Sequence, residues 1–135
     1  MLKELLLVIA ITDGDTIKVQ NAERETLKVR LANIDAPELG QDYGQESKQL
    51  LKRMIAGKKV SLNCPTKDRY RRLICTIRHR GKDINKEMIE KGGAWVYRRY
   101  YKGQDYIDAE ARAKRNKRGL WSKKAIPPWE YRRKR

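Results

Sequence analysis

The sequence predicts an α+β domain, mainly β, built from three strands, a helix, two strands and two closing helices. Three observations predict it. Short apolar runs lie at 5–12, 16–20 and 26–34, separated by tight polar turns. A stretch with apolar residues at helical spacing follows, and two more strand-like runs come after it. Finally, 135 residues with 39% apolar and 37% charged content can bury one compact core under a highly charged surface. No linker, repeat or low-complexity segment divides the chain.

Leu5 to Ile11 is an unbroken apolar run just ahead of Asp13-Gly14-Asp15-Thr16 and reads as a buried first strand. It resembles the apolar region of an export signal, but cleavage there would destroy that strand. Either the protein is not exported by its own signal, or the chain begins after one was removed. A secreted or periplasmic protein is therefore as open as a cytoplasmic one. In the third strand Leu27, Val29 and Leu31 alternate with Lys28 and Arg30, the pattern of a half-buried strand. Leu50, Leu51, Met54 and Ile55 place a helix at 42–56, and Gly57 ends it.

Strands near 59–64 and 72–80 flank the loop Pro65 to Arg71. Asp83 reads as the N-cap of a short helix at 84–91, stopped by Gly92-Gly93. A last helix at 104–118 ends before Gly119. Pro127 to Tyr131 reads as extended, closing a single domain at 1–131, and Arg132 to Arg135 as a mobile basic tail. This order fits a five-stranded OB-type barrel with one inserted helix and two C-terminal helices.

The net charge of +16 is unevenly placed. Residues 1–50 hold six Lys and Arg against nine Asp and Glu, whereas residues 51–135 hold 27 against eight. Such a basic surface favours nucleic acid, with binding that weakens as salt rises. No apolar run approaches the ~20 residues of a membrane span, and no basic amphipathic anchor is evident. Cys64 and Cys75 share parity with apolar neighbours and read as two buried free thiols, with a cross-strand disulfide as the alternative. Zinc is not expected, since only His79 could join them, at a spacing that fits no common finger.

Asp13-Gly14-Asp15-Thr16 falls between two strands and, alone, is an ordinary turn. Asp35-Ala36-Pro37-Glu38 ends the next strand but one. A barrel could bring Asp15 and Asp35 together, where their repulsion would call for a hard cation. Glu38, behind the stiff Pro37, is a candidate base. Arg30 lies on the face opposite Val29 and Leu31, and a guanidinium fork there matches two phosphate oxygens. Arg72 closes the loop Asp68-Arg69-Tyr70-Arg71-Arg72. Among so many cations, any single arginine is most simply a solvated charge. Trp95-Val96-Tyr97-Arg98-Arg99-Tyr100-Tyr101-Lys102 alternates aromatic and basic residues that could stack bases, although Trp95 reads as core. Trp121 reads as an anchor for the last helix.

Together these motifs, in order, resemble the staphylococcal nuclease (thermonuclease) family: Asp-Gly-Asp-Thr, then Arg-Leu-x-x-Ile/Val-Asp-x-Pro-Glu, then Asp-x-Tyr-Gly-Arg. The resemblance runs from Val8 to Tyr131. It implies a monomeric Ca²⁺-dependent endonuclease acting on DNA and RNA, single strands favoured, with little sequence preference and leaving 3′-phosphate and 5′-hydroxyl ends. Asp15, Asp35 and the Ala36 carbonyl would hold Ca²⁺, and Glu38, Arg30 and Arg72 would carry the chemistry. By resemblance Tyr70 would contact substrate; Arg69 beside it, and Tyr97 and Tyr100 of the aromatic and basic stretch, are the other candidates for binding it. The alternative is a non-catalytic OB domain that binds single-stranded nucleic acid. One departure stands out: Arg71 occupies the family's glycine, so a positive φ there would be costly and could displace the loop.

Overall fold

The computed structural model describes residues 4–97, 103–122 and 126–133. In chain order, its first elements are β1 (Leu6–Asp13), β2 (Thr16–Gln20), β3 (Thr26–Leu31), β4 (Ile34–Asp35) and helix α1 (Gly44–Ile55). The hairpin β5 (Lys59–Lys67) and β6 (Leu73–His79), the short β7 (Lys82–Asp83) and helix α2 (Ile84–Glu90) follow. The chain then runs through β8 (Trp95–Val96), α3 (Gln104–Arg115), a 3₁₀ turn at Gly119–Ser122 and α4 (Pro128–Arg133). Among the described residues, no helix is long and apolar enough to cross a membrane.

Antiparallel pairing carries β3 to β2, β2 to β1, β1 to β5 and β5 to β6. A parallel contact, Val29 opposite Leu73 and Leu31 opposite Cys75, then joins β3 to β6. These five strands close into a barrel, the expected OB-type architecture. Alternation explains what fills it. Ile17 and Val19 point inward while Lys18 is exposed, and Val29 and Leu31 are buried on either side of Arg30. Each such inward aliphatic contributes about 1.5–3 kcal/mol relative to exposure. Leu51 and Ile55 of α1 pack against this core. At the closing seam the buried Asn85 donates to the carbonyls of Ala32 (2.9 Å) and Cys75 (3.0 Å) and accepts from the Ile77 amide (3.1 Å). One amide thus satisfies backbone groups that the barrel's geometry leaves over.

Several local expectations need correction. The strand at 26–34 is broken, because Asn33 adopts φ +69° and turns the chain into β4. Tyr43 at φ +70° delays the start of α1 to Gly44. β5 extends through Pro65 to Lys67, with a register shift between Asn63 and Thr66 that accommodates the proline. Cys64 and Cys75 are not free thiols: the β5–β6 pairing sets them side by side and they form a disulfide. The last long helix stops at Arg115.

Residues 128–133 are helical rather than extended. Proline is well suited to a first helical position, and the amides of Glu130 and Tyr131 reach back to the Pro127 carbonyl. Arg132, expected in the tail, is part of this helix.

Candidate active site

An open cleft of about 800 Å³ lies where β2, β3, β4 and the β5–β6 loop converge. Its lining includes Asp15, Arg30, Asp35, Ala36, Glu38, Arg69, Tyr70, Arg72 and Tyr97, so residues from all three motifs meet there. Tyr100 lies outside the described residues. Asp13, Thr16, Asp68 and Arg132 complete the polar lining.

The hairpin between β1 and β2 delivers Asp15. Gly14 beside it is dictated by space: a Cβ would collide with Ser47 Oγ on α1 and lie 2.8 Å from Ala36 Cβ. The turn therefore seats against both the helix and the second motif. Asp15 Oδ2 accepts from the Ala36 amide (2.8 Å), and its Oδ1 accepts from Thr16 Oγ1 (3.1 Å). The Asp15 carbonyl receives the Leu31 amide at 2.8 Å. Twenty-one positions apart, Asp15 and Ala36 are thus fixed to one another.

Arg30 projects from β3 between the two carboxylates. One guanidinium nitrogen lies 3.5 Å from Asp15 Oδ2 and 3.7 Å from Asp35 Oδ1. Its other terminal nitrogen donates to the Leu31 carbonyl at 2.6 Å. Asp15 and Asp35 are only 7% and 3% exposed, which places two buried acids within reach of one cation. Burial, then repulsion from Asp15, push Asp35 up to about 6, although Arg30 and Arg132 pull it down. The same two causes push Asp13 up to about 7.

No His or Cys lines the cleft, so its donors are hard oxygens, a set that fits Ca²⁺ or Mg²⁺. Among the described residues, no three acidic, histidine or cysteine side chains converge on one point.

Glu38 is held at its backbone by Gln41 Oε1, which accepts its amide at 2.9 Å. Its carboxylate meets Arg132, whose Nη1 lies 3.4 Å from Oε1, while Arg132 Nη2 lies 3.2 Å from Asp35 Oδ2. Sequence reasoning missed this arginine. It is 97 residues from Asp35 and 94 from Glu38, within a basic run that carries no motif, and only the helical turn of α4 aims it inward.

The far wall is the loop after β5. The Asp68 carboxylate accepts from the Tyr70 amide (2.9 Å), the Arg72 amide (3.0 Å) and Arg72 Nε (2.7 Å). Partial burial pushes Asp68 up, but these bonds and the Arg72 charge outweigh it and hold the carboxyl below its usual range. Arg69 and Arg72 both lie over the Tyr70 ring, 5.0 and 5.5 Å from its centroid. Arg71 takes φ +64°, the left-handed conformation that its glycine-like position was expected to require.

Residues 28–123 match the model of the family described as staphylococcal nuclease homologue. An uncharacterized endonuclease of Escherichia coli O157:H7 is 38% identical over 130 residues, covering 95% of this chain and 84% of the relative. One from Haemophilus influenzae is 39% identical over 127 residues, covering 93% and 71% respectively. A micrococcal nuclease of Shigella flexneri is 38% identical over 138 residues, covering 93% and 79%. With the matched region running from β3 through β6 to the 3₁₀ turn, and with these relatives covered over most of their length, the chain belongs to the staphylococcal nuclease family.

Proposed function

We propose that the protein is a Ca²⁺-dependent endonuclease that hydrolyses phosphodiester bonds of DNA and RNA with little sequence preference. One observation carries this reading: Asp15, Asp35, Glu38, Arg30 and Arg72, drawn from three separate motifs, line one open cleft. Endonuclease and micrococcal nuclease are the names borne by similar proteins of near-equal extent.

Asp15, Asp35 and the Ala36 carbonyl would hold the ion. When bound, Ca²⁺ supplies positive charge that polarises the scissile phosphate and offsets the repulsion of the two acids. Glu38 accepts a proton from the attacking water as its oxygen bonds to phosphorus. Arg30 and Arg72 donate to the equatorial oxygens, where charge builds. The P–O5′ bond breaks, the departing oxygen takes a proton from solvent water to leave a 5′-hydroxyl and a 3′-phosphate, and Glu38 returns its proton to solvent. Tyr70, Arg69 and Tyr97 hold the flanking nucleotides.

Labelled single-stranded DNA incubated with the protein in Ca²⁺, and in excess EGTA, tests the reading. Cleavage is expected only with Ca²⁺, with 3′-phosphate ends on the products. Undiminished cleavage in chelator would remove the ion from the mechanism. Binding without cleavage in either condition would leave the nucleic-acid-binding alternative.

A further inference from the structure

A second concavity, about 660 Å³, lies at the other end of the β5–β6 hairpin and is lined by Lys58, Lys59, Arg78 and Arg80 with Ser61 and no carboxylate. None of the four cations makes an ion pair among the described residues. In a chain with 33 Lys and Arg, a basic cluster is unsurprising in itself. Three features set this one apart.

It is concave and no carboxylate lines it, and Asp83, across the β6–β7 ladder from Arg78, has its oxygens taken by the Lys86 amide and the Tyr106 hydroxyl, so the positive potential is concentrated rather than spread over a convex face. Arg80 stands at φ +52° ahead of Gly81 at +81°, in the tight turn between β6 and β7. Such a turn favours Asn-Gly, and an arginine there is held at a local cost. Most telling is continuity with the cleft. On the outward face of β6, Arg78, Thr76 and Ile74 follow one another, with Cys75 and Ile77 buried between them. Across the ladder they pair with Ser61, Asn63 and Thr66. Arg78 and Ser61 line the groove, whereas Ile74 lines the cleft. The face between holds small uncharged polar side chains and no acid.

We infer that this groove is a second phosphate-binding site for the same nucleic-acid strand, reached by laying the strand along the outward face of β5 and β6. Four residues of β6 separate the sites, about 13 Å at ~3.3 Å per residue. That is a short span, about four nucleotides at the ~3.4 Å axial rise of a helical strand and about two for a strand laid out along the face. A very short oligonucleotide fills the cleft only; a longer one engages both sites. The inference rests on reading the cleft as a nucleic-acid site, but not on its catalytic competence.

The test is binding of fluorescent single strands of about 2 and about 20 nucleotides, on either side of the usual site sizes, in chelator across a range of salt. The groove variant is Lys58→Gln, Lys59→Gln, Arg78→Gln and Arg80→Asn, the last suited to its positive φ. A control variant loses the same number of charges elsewhere: Lys52→Gln, Arg53→Gln, Lys91→Gln and Arg115→Gln. The groove variant should lose about ten- to a hundred-fold affinity for the long strand, and its log–log salt slope should shrink by up to ~3, or ~0.7 per phosphate contact. Its affinity for the short strand should hold, and the control should change much less. Equal losses in both variants, or equal losses for both lengths, would overturn the proposal, as would an unchanged long-strand affinity. A protein that never cleaves yet shows the length-dependent loss keeps the groove and sinks the endonuclease reading.

Discussion

The two walls of the cleft are made differently. On the barrel wall, Asp15 in the β1–β2 turn, Arg30 on β3 and Asp35 on β4 are nearly buried and are tied together by bonds such as Ala36 N–H to Asp15 that span 21 positions. On the loop wall, the bonds that shape Asp68 to Arg72 run within those five residues, and Tyr70 at its tip is 60% exposed. The barrel wall is ordered by the whole fold. The loop wall is ordered by one carboxylate. A change on the first therefore reaches stability and chemistry together, while a change on the second can be local.

The largest expected effect lies between the walls, at Glu38. Glu38→Gln keeps size and hydrogen bonding but cannot take the proton, and should slow cleavage by about 10²–10⁴ with little loss of affinity for single-stranded DNA. A variant with near-normal turnover would remove Glu38 as the base. On the loop wall, Arg72→Ala should cost about 10²–10³ in kcat through loss of a donor to developing charge. Asp68→Asn, which keeps the arginine but loosens its support, should cost less. If Asp68→Asn proves as damaging as Arg72→Ala, the loop is not the independent unit described above.

Acid and base should separate the walls next. With Asp35 raised to about 6 from 3.8, the folded chain keeps a proton that the unfolded chain has released. Metal-free stability contributed by the barrel wall should therefore fall as pH rises from about 4 towards 6, and Asp13 extends the fall towards 7. Asp68 runs the other way: its lowered pKa stabilises the fold above the ordinary carboxylate range and is lost below it. Ca²⁺ should then raise the melting temperature more at pH 8 than at pH 5. Equal stabilisation at both would show that the buried acids are not the binding groups.

Two smaller effects complete the comparison. Arg71→Gly should stabilise the protein by about 1 kcal/mol, since glycine carries no left-handed penalty. A large loss of activity in that variant would instead give the Arg71 side chain a contact with substrate. Arg132→Gln removes a cation that faces Asp35 and Glu38, and should tighten Ca²⁺ binding roughly two- to five-fold, in keeping with an exposed ion pair. Weaker binding would make Arg132 a support for the acids rather than a competitor.

Much of the barrel wall was legible from sequence because strand alternation and turn chemistry are local. Leu27, Val29 and Leu31 disclosed the face opposite Arg30, and Asp83 disclosed a helix start that the Lys86 amide confirms at 2.9 Å. The glycine-like demand at Arg71 was legible from its motif. What stayed hidden depends on contacts between distant segments. The shared parity of Cys64 and Cys75 was visible, but the register shift after Asn63 is not encoded in any pattern. Asn85 gave no sign that it bridges the barrel seam. Arg132 looked like one more charge in a basic run, and a proline-led helix too short to show periodicity turned it towards the acids. Asp13 read as turn material beside its more telling partner.

The chain's three tryptophans share one cluster. Trp95 meets Trp121 edge-on, with ring centroids 6.3 Å apart, and Trp129 in the same manner at 6.0 Å. Trp129 stands on α4, one helical turn before the guanidinium that touches Asp35 and Glu38, and Trp95 is paired with Asp35 across β4 and β8. The molecule's entire indole emission therefore originates beside the acids of the cleft. Fluorescence intensity and wavelength, recorded without a label or a substrate, become an optical gauge of how closely the last helix is seated, and an ion titration can be followed in the cuvette before any bond is cut.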